Sequence, residues 1–164
     1  ISGARYMIFV TVGTQLPFDR LITAVDEWCA ESNADVFAQV GPTDKTFSHL
    51  NSEAFISPDK ADELMRNADL IVAHAGMGTI ITATQYGKPL IVMAREFKFG
   101  EHRNDHQVAT AARFKDFPNI TVVADEQTLV QALDDFDGAE QASFSSASEF
   151  APDAFINELK SLLQ

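Results

Sequence analysis

Short apolar runs alternate with helical segments along most of this chain, and this alternation limits the fold more than any other sequence feature. Runs rich in β-branched and aliphatic residues predict strands at 7–12, 36–40, 54–57, 70–73, 89–93 and 120–123. Apolar residues at helical spacing predict helices at 18–28, 59–67, 79–86, 104–114 and 126–136, the last with Asp125 as its N-cap. Strands that alternate with helices form a parallel sheet covered on both faces, so the sequence predicts a Rossmann-like α/β fold.

The length of 164 residues fits one domain, which we expect at residues 7–136. Met7 is a natural start, so residues 1–6 are expected to be a cloning remnant. Residues 137–151 are rich in Ser, Ala and Glu, which predicts a linker. Pro152 then opens a predicted final helix over residues 152–164.

The composition excludes several classes of ligand. The net charge of −12 argues against nucleic acid and anionic lipid, because both are negatively charged. No apolar run approaches the roughly 18 residues that cross a bilayer, and no secretory leader is recognisable. We therefore expect a cytoplasmic protein without direct membrane insertion. The single cysteine, Cys29, excludes an internal disulfide and a multi-cysteine metal site.

Positive charge is concentrated in the middle of the chain. Residues 88–115 hold six Lys or Arg and three acids, a balance of +3, whereas residues 125–164 hold nine acids and one lysine, a balance of −8. Three of the four histidines lie between positions 74 and 106. The middle segment therefore predicts a basic ligand pocket, with a solvated charged face as the alternative.

Turns that follow the predicted strands are the expected place for a ligand, since parallel sheets bind ligands beyond the carboxyl ends of their strands. These turns are 13–17, 41–46, 74–79 and 94–104. The third reads His-Ala-Gly-Met-Gly-Thr, and spaced glycines between a strand and a helix let backbone N–H groups face an anion. Gly76 and Gly78 allow close approach of a ligand and a positive φ, and we expect a charged donor at His74 and a hydroxyl donor at Thr79.

A purely structural role for the same turn stays open. The glycines would then serve only tight packing of strand against helix, and His74 would be a core histidine. The chain contains neither a G-x-x-x-x-G-K-[ST] phosphate loop nor the G-x-G-x-x-G dinucleotide pattern.

Three segments, in their order and spacing, resemble the C-terminal domain of family 28 glycosyltransferases over roughly residues 7–124. They are MIFVTVGTQLPFDRLITAVDEW from Met7, DLIVAHAGMGTIITATQYGKPLIVM from Asp69 and GEHRNDHQVATAARF from Gly100. The first resembles small stand-alone members, among them the donor subunit of the dolichol-linked N-acetylglucosaminyltransferase. The GEHRNDHQ form is most similar to bacterial exopolysaccharide subunits, and the residues after Asp125 resemble nothing in particular.

The resemblance implies one half of a GT-B fold, which binds a UDP-sugar while a separate, membrane-associated subunit holds the acceptor. It implies an inverting hexosyltransferase that acts on a lipid-linked acceptor in polysaccharide or glycan biosynthesis, at the inner face of the membrane through its partner. No metal or other cofactor is expected, since a D-x-D motif is missing, and the general base is expected on the partner.

Single residues receive roles from the same resemblance. The donor diphosphate is assigned to Gly13, Thr14, His74, Gly76, Met77, Gly78 and Thr79. The donor sugar is assigned to Asn104, Asp105, His106 and Gln107, and the uridine side to Gly41, Thr82 and Arg95. Many relatives carry an acid for the ribose where this chain has Thr82, so Glu96 and Glu101 are alternatives for that contact.

Two other functions are open at this point. One is a non-catalytic module that binds a nucleotide-sugar, and the other is a free-standing α/β enzyme that acts on a small phosphorylated substrate.

Overall fold

Six parallel strands form one sheet in the computed structural model, which describes residues 6–136 and Asn157. The strands are β1 (Met7–Thr11), β2 (Asp35–Gln39), β3 (Asn51–Glu53), β4 (Leu70–His74), β5 (Leu90–Met93) and β6 (Ile120–Val123). They lie in the order β3-β2-β1-β4-β5-β6, and every neighbouring pair is parallel. The predicted Rossmann-like α/β fold is confirmed.

The described part contains five α-helices, of which the first four connect strands and the fifth follows β6. They are α1 (Asp19–Cys29), α2 (Pro58–Asn67), α3 (Met77–Gln85), α4 (His106–Phe114) and α5 (Glu126–Asp135). A 3-10 turn at Phe97–Phe99 was not predicted. None of the helices in the described residues is long and apolar enough to cross a membrane.

The side chains of β1 alternate between two cores, as strand geometry requires. Ile8 and Val10 belong to the core that includes buried side chains of α1 and α5. Phe9 belongs to the other core, with side chains from α2, α3 and α4. Both faces of the sheet are therefore covered, and the turns at the carboxyl ends of the strands are left to form a site.

Two helices begin at side-chain caps. Ser57 accepts a hydrogen bond from the backbone of Lys60 at the start of α2, and Asp125 accepts one from Thr128 at the start of α5. Each such cap stabilises its helix by about 1 kcal/mol. The predicted capping role of Asp125 is confirmed.

The third strand lies at Asn51–Glu53 and not at 54–57, so that prediction was wrong. All three of its residues are exposed, and the strand is held by backbone pairing with β2, with Asn51 opposite Phe37. An edge strand of this kind needs no apolar side chains, and the prediction followed Phe55 and Ile56 instead.

Most other element boundaries agree with the predictions to within one residue. Helix α3 begins two residues earlier than predicted, at Met77, and α4 begins two residues later, at His106. The predicted linker at 137–151 and helix at 152–164 lie outside the described residues, apart from Asn157, which is helical.

Candidate functional site

The turns after β1 and β4 meet where the order of the strands reverses, which is the usual ligand position in this type of sheet. Thr11 of β1 pairs with Ala73 of β4, so the two turns leave the sheet side by side. Gly13 has a φ of +76°, which favours glycine, and a Cβ there would lie 3.3 Å from Nε2 of His74. The fold therefore brings together the two turns that were assigned to the diphosphate.

Gly76 and Gly78 differ in the surroundings that a larger side chain would meet. A Cβ on Gly76 would lie 2.4 Å from Cε1 of His74, so the imidazole ring itself excludes a larger residue. A Cβ on Gly78 would meet no atom within 4 Å. Neither glycine uses the positive φ that its lack of a side chain allows: Gly76 is extended, and Gly78 lies in the first turn of α3. Gly78 leaves open space at a helix N-terminus, where backbone N–H groups lack helical partners.

Arg95 lies beneath the turn after β1 and is only 3% exposed. Its Nη2 donates to the carbonyl oxygens of Val12 and Leu16, both at 2.6 Å. Its Nη1 lies 2.8 Å from Nδ1 of His74. The structure thus places this guanidinium inside the protein, and not on the open surface that a uridine contact would need.

Gln107 joins the start of α4 to the same centre. Its Oε1 accepts from the backbone N–H of Arg95 at 3.1 Å, and its Nε2 lies 3.3 Å from Nδ1 of His74. Both ends of the carboxamide therefore have protein partners before any donor sugar is bound.

His74 is a neutral imidazole at pH 7. Burial, with smaller contributions from the charge of Arg95 and from the nearby His102, lowers its pKa to about 3. The expectation of a charged donor at this position was wrong. The ring can still donate one hydrogen bond, as a neutral group.

A buried polar pair supports the turn after β1 from the other side. Thr11 donates to Oε1 of Gln39 at 2.8 Å, and Nε2 of Gln39 donates to the carbonyl oxygen of Gly13 at 3.3 Å. Both residues are buried. Sequence reasoning missed them, although a glutamine at the end of an apolar strand was the available signal.

Arg20 was also missed, and it attaches the segment after β5 to α1. It bonds to Glu96 at 3.3 Å, Glu101 at 2.9 Å and Glu126 at 3.1 Å. Glu101 also accepts the backbone N–H of Glu96. The two carboxylates considered for the ribose are thus paired with an arginine of the protein.

The polar segment before α4 forms hydrogen bonds within itself. Asn104 accepts from the backbone of His106 at 2.9 Å, and Asp105 accepts from the backbone of Phe97 at 2.9 Å. The side chains of Asn104, Asp105 and His106 are exposed at the carboxyl edge of the sheet. Of the four residues assigned to the sugar, Gln107 is the one that the structure joins to His74.

The sequence pattern described as "Glycosyltransferase family 28 C-terminal domain" matches residues 7–163. The chain belongs to this family. The match extends well past residue 124, so the resemblance had been drawn too short, and the residues after Asp125 are part of it.

Curated relatives agree with this assignment. The chain is 30% identical over 115 residues to the "UDP-N-acetylglucosamine transferase subunit ALG13" of Homo sapiens, and 30% identical over 106 residues to that of Mus musculus. These alignments cover 63% and 58% of this chain but only 10% and 9% of the relatives. The chain thus spans about a tenth of the length of either relative.

Solved structures share the fold of this family 28 domain. The glycosyltransferase of kitacinnamycin superposes with a TM-score of 0.67 at 18% identity, over 97% of this chain and 44% of that one. The NMR structure of ALG13 gives a TM-score of 0.57 at 21% identity, over 79% of this chain and 84% of that one.

The remaining assigned residues of the family 28 domain lie at the same edge in different settings. Thr14 is exposed, and Thr79 and Thr82 are half-buried on α3. The side chain of Met77 is half-buried and packs against the core. Gly41 is buried, with a φ of +68°, and a Cβ there would lie 3.4 Å from the carbonyl oxygen of Gly13.

The predicted basic pocket is dispersed by the fold. Lys88 precedes β5, and Arg113 and Lys115 lie at the end of α4, so these three cations are at the amino edge of the sheet. Arg95 is buried, which leaves Lys98 and Arg103 as exposed cations of this segment at the carboxyl edge. Within residues 6–136, no group of three or more His, Cys, Asp or Glu side chains is arranged to hold a metal ion.

Proposed function

We propose that this family 28 domain binds the UDP-sugar donor of an inverting glycosyltransferase. The observation that carries the proposal is the open N-terminus of α3 beside His74. Gly78 adds no side chain there, and the glycines at 13 and 76 leave room for the imidazole ring. Backbone N–H groups and the dipole at a helix N-terminus favour an anion, and a diphosphate suits this place.

The same groups would help the diphosphate leave. When the acceptor hydroxyl attacks the anomeric carbon, the bond to UDP breaks and negative charge collects on the diphosphate. Donors that are already in place stabilise this charge without reorganisation. In this proposal they are the backbone N–H groups of Gly78 and Thr79 and the neutral His74, while the general base belongs to a partner.

UDP-N-acetylglucosamine is the first donor to test within the hexose-type class, because the curated relatives carry this sugar in their names. The segment 104–107 is proposed to approach the sugar, with the exposed Asn104, Asp105 and His106 as its available side chains. An exopolysaccharide pathway rests on the resemblance of the GEHRNDHQ segment, and a lipid-linked acceptor rests on the resemblance to the small stand-alone donor subunits.

A partner subunit is part of the proposal. Its support is that the curated relatives are described as subunits of a transferase. The partner would hold the acceptor and keep this domain at the inner face of the membrane. We propose no cofactor beyond the UDP-sugar substrate.

Calorimetry with UDP, ADP and GDP tests donor binding. We expect the chain to bind UDP in preference to the other two, and Gly78→Val to weaken UDP strongly, since it adds a branched side chain where the diphosphate would lie. Ala112→Val, on the exposed far end of α4, is the matched control and should leave UDP binding unchanged. Equal or absent binding of all three nucleotides would contradict the proposal.

Transfer assays test the need for a partner. We expect no sugar transfer from UDP-sugars to lipid acceptors by the chain alone, and transfer once a membrane-associated acceptor subunit is added. Rapid transfer by the chain alone would remove the partner from the proposal. UDP-sugar binding without transfer under any pairing would favour a non-catalytic binding module instead.

A further inference from the structure

We propose that Arg95 is a positioning residue that holds His74 in the Nε2–H tautomer, so that a neutral N–H donor faces the space where a diphosphate oxygen would lie. The identity of the ligand in this inference rests on the proposed function. The tautomer itself is derived from the observed hydrogen bonds and does not depend on that function.

The direction of each hydrogen bond at Nδ1 follows from groups that can only donate. The backbone N–H of Arg95 is such a group, so the atom of Gln107 that faces it at 3.1 Å is Oε1. The NH₂ end of Gln107 must then point to Nδ1 of His74, at 3.3 Å. The guanidinium of Arg95 also only donates, and it reaches the same nitrogen at 2.8 Å. Two donors require a lone pair on Nδ1, so the proton of the neutral ring is on Nε2.

Nε2 faces the gap between the two glycine turns. A Cβ on Gly13 would lie 3.3 Å from it, and a Cβ on Gly76 would lie 2.6 Å from it. Within residues 6–136 it has no hydrogen-bond acceptor, and it is not among the unpartnered atoms that are sealed from solvent. A donor that is open to solvent beside the N-terminus of α3 is available to an anion.

Arg95 controls this arrangement more firmly than Gln107 does. The guanidinium is tied to the carbonyl oxygens of Val12 and Leu16, so it cannot turn away from the ring. Gln107 is half-buried and lies farther from Nδ1. A doubly protonated ring would place an N–H group against the guanidinium, and the lowered pKa of His74 is consistent with that conflict.

Nitrogen NMR of the ¹⁵N-labelled chain at pH 7 measures the tautomer without any substitution. We expect His74 to show a protonated Nε2 and an unprotonated Nδ1 before ligand is added, with the signals assigned from their loss in His74→Asn. UDP should shift the Nε2 resonance more than the Nδ1 resonance. Uridine, which has no diphosphate, should leave Nε2 in place.

Arg95→Met removes the donors at similar side-chain length. We expect it to relax the tautomer preference and to weaken UDP binding about tenfold, which corresponds to one hydrogen bond of about 1.4 kcal/mol. Arg103→Met, at an exposed cation of the same segment, is the control and should keep the tautomer.

A second pair of variants keeps the test decisive if Arg95→Met does not fold. In His74→Asn the side-chain oxygen can accept from Arg95, but no donor reaches the Nε2 position. In His74→Gln the amide can reach that position. We expect His74→Gln to keep more UDP affinity than His74→Asn, and the reverse order would overturn the inference.

The outcomes separate this inference from the proposed function. An Nδ1–H tautomer or an imidazolium at pH 7 overturns the inference, even if UDP binds normally. The inference is also overturned if folded Arg95→Met keeps the Nε2–H tautomer preference. It is overturned as well if UDP binds without shifting the Nε2 resonance. An Nε2–H tautomer that depends on Arg95, in a chain that binds no UDP, overturns the proposed function and leaves the positioning role of Arg95 intact.

Discussion

Arg20 and Arg95 both hold loops at the carboxyl edge of the sheet, but they leave opposite charge balances around themselves. Arg20 is paired with three carboxylates, those of Glu96, Glu101 and Glu126. Arg95 bonds to two carbonyl oxygens and a neutral imidazole, and in the described part of the chain it forms no ion pair. Burial lowers the pKa of Arg95 to about 10, so its guanidinium is still charged at pH 7.

The difference separates two roles of an arginine at this edge of the sheet. The charge of Arg20 is more than neutralised by its neighbours, so its role is to attach the segment after β5 to α1. The charge of Arg95 is not neutralised by contact, so it contributes positive potential to the adjoining site. Arg95 can therefore favour an anionic ligand that its own side chain does not touch.

Arg20→Met should have the largest effect on stability. It removes the arginine from the carboxylates of Glu96 and Glu101, which are 22% and 10% exposed. Among the described residues, Glu96 then keeps only Lys98, at 3.6 Å, and Glu101 keeps only the backbone N–H of Glu96. We expect the free energy of unfolding in urea to fall by about 3 kcal/mol. Glu126→Gln is the control, since that side chain is 52% exposed, and it should cost under about 1 kcal/mol. Suppose instead that Arg20→Met folds and loses more free energy of UDP binding than free energy of unfolding. Arg20 would then serve the ligand site, and the two arginines would not differ as described.

Gly76→Ala should have the next largest effect, because the added Cβ would push His74 away from Arg95. We expect a loss of about 1–3 kcal/mol in the free energy of unfolding. The matched variant Gly78→Ala meets no atom and gains helix propensity, so it should change stability by no more than about 1 kcal/mol. Urea unfolding and UDP titration of both variants check this. Equal destabilisation by the two would show that the ring does not require Gly76.

The pH dependence of stability tests whether the ring beside Arg95 stays neutral. The pKa of His74 is about 3 in the folded chain, below the ordinary value of 6.5. Between these two pH values the ring is protonated in the unfolded chain and neutral in the folded chain. Stability from this group is complete above pH 6.5 and is lost progressively as the pH falls toward 3. The slope is at most about 1.4 kcal/mol per pH unit. Urea unfolding of wild type and His74→Gln between pH 6.5 and 5 should show the steeper fall in wild type, and parallel curves would contradict it.

Gln107→Ala should have the smallest effect, and it distinguishes a positioning role from a sugar contact. In the observed geometry Gln107 acts on Arg95 and His74, so UDP and UDP-N-acetylglucosamine should lose affinity equally, by about 0.5–1.5 kcal/mol each. A direct sugar contact predicts instead that only the UDP-sugar weakens. Calorimetry with both ligands decides, and a loss confined to the UDP-sugar would restore the original assignment.

Local patterns predicted the sheet and its helices well, because apolar spacing reports which face of each element is buried. They failed at β3, since Asn51–Glu53 is an edge strand held by backbone pairing and carries no buried side chain. They also overstated the basic segment, because spacing along the chain did not show that Lys88 and Lys115 lie at the opposite edge from Lys98. The glycine turn was recognised, but not that the imidazole ring of His74 is what requires glycine at position 76.

The sequence by itself determined the alternation of strands and helices, and with it the edge at which the turns that carry Gly13 and His74 would meet. Only the tertiary structure decided what those residues do there. The partners of Arg95 are 21 residues away at His74 and 83 residues away at Val12. Contacts over such separations depend on strand order and register. No periodicity within a single segment encodes such contacts. For this reason the sequence did not show that the guanidinium of Arg95, expected at the uridine, lies beneath the turn after β1. Nor did it show that His74, expected to be charged, is neutral.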